Sequence, residues 1–156
     1  MTTSDNDDIN QKISNKKPYL ALFRILGHKN VEIVSDAITA IYNILMYGSN
    51  TTHYYDEHPD FNTIQSFNGF NQLYALFKLN LDKYNTDTAA VCIAKFCRAN
   101  EIPNNEIKKE IINHLKQLVN DQDDSTRKSS KSALFGLIQN QANKVEIQKE
   151  GFAIPE

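Results

Sequence analysis

The 156-residue sequence contains no tryptophan, two cysteines, four prolines and five glycines. So little glycine and proline argues against a loop-rich or all-β fold. The cysteines, Cys92 and Cys97, share the apolar stretch "AVCIAKFC". A helix turns them well around its axis from one another, against a disulfide or a shared metal. They read as small buried hydrophobes in a reducing compartment. No run approaches the ~18 apolar residues of a membrane span. The opening "MTTSDNDDINQK" has neither the basic flank nor the apolar stretch of a signal peptide. A net charge of −2 gives no basic field for phosphate backbones or an acidic membrane surface. The expected compartment is cytoplasmic, with neither nucleic acid nor membrane as partner.

What is present has helical periodicity. Residues 1–15 are polar and acidic and read as a disordered tail; residues 16–156 form one helical domain. Tyr19, Leu22, Phe23 and Leu26 fall on one face after Pro18. Asn30 is placed to cap a second helix carrying Val34, Ala37, Ile41, Ile44 and Leu45, which Gly48 should end. Residues 48–61, "GSNTTHYYDEHPDF", read as a long loop. A short helix, a break near Gly69 and a longer helix follow. Then come "TDTAAVCIAKFCRA", the strongly amphipathic "NEIKKEIINHLKQLVN", a helix capped by Asp124, and a short one before Gly151. No segment alternates with period two, so the class is all-α.

Three of these helices share one spacing of small and apolar residues. The shared pattern starts at Ala37, Ala90 and Ser130, 53 and 40 residues apart. The longer interval is explained if the loop around Thr52 to Asp60 is an insertion outside the repeat. A period near 40, with "SALFGLIQNQANKVEIQKEGFAIP" and "IQSFNGFNQLYALF" at its junctions, resembles the armadillo (armadillo/HEAT-like) repeat family. The resemblance covers roughly residues 18–155. It implies a right-handed α-solenoid of about three degenerate repeats, whose third helices line a concave groove.

On that alignment the groove positions are Asp36, Thr39 and Asn43 in the first unit and Ala89, Cys92 and Phe96 in the second. In the third they are Ser129, Ser132 and Gly136. An asparagine at the Asn43 position commonly bonds the backbone of an extended peptide in the family, whereas Phe96 and Gly136 hold the matching places here. The implied function is a non-enzymatic scaffold binding a protein or peptide in the groove, without metal or cofactor. The alternative is a structural or self-associating subunit. The chain reaches Gly151 with only "FAIPE" beyond it, so an apolar patch beside Phe135, Ile138, Val145 and Phe152 is expected. A homo-oligomeric contact through that end follows from it.

Other candidates are weaker. His53, Asp56, Glu57, His58 and Asp60 are metal-capable, but their spacing matches no structural zinc signature and reads as a polar loop. Asn50-Thr51-Thr52 fits a glycosylation sequon without a compartment for it. Arg127, Lys128 and Lys131 read as a solvated face, and His114 as a boundary residue. No phosphate-binding glycine loop, His-Glu-x-x-His or Gly-x-Ser-x-Gly is present. An enzyme is not expected.

Overall fold

The computed structural model describes residues 18–155 together with Lys12 and Lys16. The acidic tail read at residues 1–15 otherwise lies outside the described residues. Within them the chain is all-helical, with eight α-helices and no strand. These are α1 (Tyr19–Ile25), α2 (Val31–Asn50), α3 (Phe61–Ser66) and α4 (Gly69–Leu79), then α5 (Lys83–Phe96), α6 (Asn105–Leu118), α7 (Asp124–Leu137) and α8 (Gln141–Ile147). A 3-10 turn over Lys149–Gly151 follows. Among the described residues no helix is long and apolar enough to cross a membrane.

Short polar side chains set the starts. Asn30, Asp82, Asn104, Asp123 and Asn140 each accept from an amide in the first turn of the helix that follows. Each satisfies a donor the helix cannot, worth about 1 kcal/mol. The cap of α7 is Asp123, one residue before the expected Asp124. Asn68 and Asn80 take left-handed backbone on either side of α4, a conformation asparagine tolerates better than most residues.

The central element is α5, buried almost all round from Asn85 to Phe96. It packs against α2 on one side and α7 on the other, with α4 and α6 also against it. In turn α1 lies on α2 and α4, and α8 on α6 and α7. The helices α2, α5 and α7 run in one direction. Asn85 at the start of α5 bonds Ser35 near the start of α2 at 2.9 Å. Arg98, just past the end of α5, bonds the carbonyl of Ser49 in the last turn of α2 at 2.9 Å. Toward α7, Lys83 meets Asp121 at 2.7 Å at one end, and the Ala99 amide meets the Gly136 carbonyl at 3.2 Å at the other.

Between the helices lies one continuous core. Ile38, Ile41, Leu45, Leu73, Ile93, Leu115 and Leu134 are fully enclosed, each worth roughly 2 kcal/mol relative to exposure. Rings fill the junctions: Phe61 stacks on Phe96 at 4.9 Å, and Phe23 meets Phe67 edge-on at 5.5 Å.

The segment between α2 and α3 departs from expectation. Helix α2 continues through Gly48 to Asn50. Gly48 serves instead as a seat for the buried ring of His58, since a Cβ there would stand 2.7 Å from His58 Cε1. His58 Nε2 donates to the Leu45 carbonyl at 2.9 Å, and Nδ1 accepts from the Asp60 amide at 3.1 Å. Asp60 accepts from the buried Tyr19 hydroxyl at 2.6 Å. The Arg98 guanidinium reaches the Thr52 hydroxyl and the Glu57 carbonyl. The segment is therefore tied into the core at three places.

Candidate functional site

One strip of surface is shared by the three parallel helices. Thr88, Val91 and Lys95 of α5 lie along it, flanked by Tyr42 and Ser49 of α2 and by Ser129, Ser132 and Gly136 of α7. The Tyr42 and Ser129 hydroxyls meet at 2.9 Å, joining the two flanking helices. Two hollows result, one of about 560 Å³ toward the helix starts and one of about 320 Å³ toward their ends.

The sequence-based positions fare differently on each helix. Asp36 and Asn43 are exposed on α2, outside both hollows. Thr39 is half-buried and shares a hydrogen bond of 2.6 Å with Tyr84 of α5. Ser132 and Gly136 line the hollow at the helix ends, and Ser129 the other one. On α5 the register is displaced. Ala89 and Cys92 are fully buried and Phe96 is 1% exposed, so none of them faces a groove. Burial pushes the Cys92 thiol well above its ordinary range, leaving it inert. The residues that line the hollows are Thr88, Val91 and Lys95, one position earlier, with Val91 and Lys95 themselves largely enclosed. A step of one residue turns a helix by about 100°.

The two hollows carry opposite chemistry. Toward the helix starts, Lys83 bridges Asp87 at 2.5 Å and Asp121 at 2.7 Å, and His114 of α6 meets Asp87 at 2.7 Å. Burial alone would raise the Asp87 carboxyl, but its bonds to His114 and Lys83 outweigh this and hold it below its ordinary range. Toward the helix ends stand Lys95 and Arg98, which are 5% and 4% exposed. Lys95 Nζ donates to Ser132 Oγ at 2.6 Å. Burial, then repulsion from Arg98, pushes the Lys95 ammonium down to about 8. The stem of Arg98 lies over Gly136, where a Cβ would come within 3.1 Å of its Cγ.

Neither cation was singled out from the sequence. The signal was available: a lysine and an arginine three residues apart in "AVCIAKFCRA", a segment otherwise apolar.

The other candidates resolve as follows. Among the described residues no three His, Cys, Asp or Glu side chains gather as metal ligands. In the loop, His53 and Tyr55 are exposed and stack at 5.2 Å, while His58 is structural. At the C-terminal end Phe135 and Val145 are 44% and 54% exposed, whereas Ile138 and Phe152 pack partly against the core. Lys116 lies over the Phe152 ring at 5.0 Å. Comparison of the chain with protein-family models, curated proteins and solved structures gives no match.

Proposed function

We propose that the chain is a non-enzymatic interaction module, an armadillo-type right-handed α-solenoid that binds an extended protein segment along α2, α5 and α7. The observation that carries this reading is the parallel alignment of those three helices. Two hollows lie along them, with the Tyr42–Ser129 bond reaching from α2 to α7, and α1, α4, α6 and α8 pack against them. The hydroxyl groups lining the hollows (Thr88, Ser129, Ser132) are suited to the polar backbone of an extended chain, and Val91 offers an apolar contact between them. The partner is a protein or peptide, and no cofactor is required.

The reading is tested by panning a library of extended peptides on the wild type and on Thr88→Arg/Ser129→Arg, which fills the strip at half-buried positions. Peptides selected by the wild type are expected to lose binding to the double variant. Retention by a correctly folded double variant places the interface elsewhere.

The alternative, self-association, draws on the exposed Phe135 and Val145 at one end and on Leu20, Ile25 and Ile33 at the other. Such unlike patches would meet head to tail. Light scattering over a range of concentrations distinguishes the two. A mass that rises for the wild type and stays monomeric for Phe135→Glu/Val145→Glu supports assembly through that end.

A further inference from the structure

Two buried cations lie side by side at the ends of α2, α5 and α7, and among the described residues no carboxylate is bonded to either, although Asp56 attracts Arg98 from a distance. Lys95 has three N–H donors and uses one of them, on Ser132. Arg98 commits its terminal nitrogens to Ser49, Thr52 and Glu57, but its Nε has no partner. Among the described residues the Ser49 hydroxyl is also unpartnered. These groups border the 320 Å³ hollow together with Asn50.

Unpaired buried charge is costly, and the chain avoids it elsewhere. Lys108 is as buried as Lys95, yet it has Glu101 at 2.5 Å and the Asn105 side chain at 3.3 Å. Helix ends offer a plainer explanation for cations, because carbonyls converge there. That accounts for Arg98, which bonds one such carbonyl, that of Ser49, and the loop carbonyl of Glu57. It does not account for Lys95, which bonds none.

We infer that the hollow bordered by Lys95, Ser132 and Ser49 is a carboxylate-binding subsite, taking an aspartate or glutamate side chain of the polypeptide in the groove. The inference rests on the groove reading above for its source of carboxylate. A carboxylate offers about four acceptor positions in one plane. The two spare N–H bonds of Lys95 supply two donors, and the Ser49 hydroxyl, enclosed in the wall of the hollow, adds a third when its side chain turns toward the ligand. A phosphate dianion carries more charge than a single free ammonium answers, since the terminal nitrogens of Arg98 are already committed. Lys95, although lowered, stays mostly protonated at neutral pH, and a bound carboxylate would draw its value back up.

The test uses the whole chain and four probes: acetate, inorganic phosphate, and blocked Gly-Asp-Gly and Gly-Asn-Gly tripeptides. Binding is followed by NMR at the Lys95 side chain and the Ser132 amide. Acetate is expected to shift both saturably and to raise the Lys95 titration midpoint, with phosphate weaker. The aspartyl tripeptide should bind about tenfold more tightly than the asparaginyl one, the scale of a hydrogen bond to a charged group. Lys95→Met and Lys95→Gln should abolish both the acetate response and this preference, whereas Lys83→Met should leave them intact.

No response of Lys95 to acetate, or equal affinity for the two tripeptides, overturns the subsite. Tighter phosphate than acetate binding overturns the carboxylate assignment. The two readings fail separately. If acetate binds as expected but Thr88→Arg/Ser129→Arg keeps the library peptides, the groove falls and the anion site stands. If library peptides require the strip but show no acid preference and acetate has no effect, the subsite falls and the groove stands.

Discussion

The two ends of the α2–α5–α7 strip treat charge in opposite ways. At the helix starts, Asp87 is answered by both Lys83 and His114, and Asp121 by Lys83. At the helix ends, Lys95 and Arg98 repel each other, and their hydrogen bonds go to hydroxyls and carbonyls. Charges neutralised within the chain hold helices together. An ammonium left with spare donors beside an open hollow does little for the fold. The difference separates a structural polar cluster from a receptive one.

Removing Arg98 should have the largest effect. Arg98→Ala frees the Ser49 and Glu57 carbonyls and the Thr52 hydroxyl, and opens a gap over Gly136. A loss of about 3 kcal/mol is expected in urea unfolding. Asp87→Ala, at the opposite end, should cost about 2 kcal/mol by stripping Lys83 and His114 of their shared partner. Lys95→Met should have the reverse sign, gaining about 1 kcal/mol at neutral pH, because it replaces an uncompensated cation with an apolar chain of similar length. A loss in that variant would mean that Lys95 is a structural member like Asp87.

The same comparison can be sharpened by pH. The folded-state value of Lys95 lies near 8, and the unfolded value near 10.5. Between them the unfolded chain binds more protons, so the wild type should gain stability relative to Lys95→Met as pH rises through that window. Comparing the two proteins matters, because the buried Cys92, Cys97 and Tyr19 resist ionisation and act oppositely at high pH. At the other extreme, burial lowers His58, and a second proton on its ring would remove the acceptor for the Asp60 amide. Stability should therefore fall with acidification below about 6.5, the ordinary histidine value. His58→Gln should flatten that limb of the profile. The smallest effect is expected for Lys83→Ala, about 0.5 kcal/mol, because its ammonium is largely in solvent.

Helices were legible in the sequence wherever one face differed from the other. Helix α6 has Ile111, Leu115 and Leu118 on its inner side, and α7 has Ala133, Leu134 and Leu137. Their orientations follow from periodicity, and Ser132 and Gly136 line the hollow at the helix ends, Gly136 beneath the Arg98 stem. Helix α5 gives no such signal. It is enclosed by four other helices, so apolar residues surround it and the pattern cannot say which side faces out. Aligning Ala90 with Ala37 then fixed its register one residue late, burying Cys92 and Phe96 where groove residues were expected. The role of segment 51–60 was hidden for a different reason. It depends on Arg98 and Tyr19, each about 40 residues away, and no local pattern encodes such a meeting.

That segment also changes how the molecule should come apart. A stack whose units touch only their neighbours frays from its ends, each unit detaching almost independently. Here Asp60 holds α1, His58 holds the last turns of α2, and Arg98 holds the segment to the end of α5. The leading helices cannot peel away without breaking bonds that also secure the middle of the chain. Under a pulling force the first half should yield in one step, like a clasp opening, where an ordinary stack would unzip helix by helix.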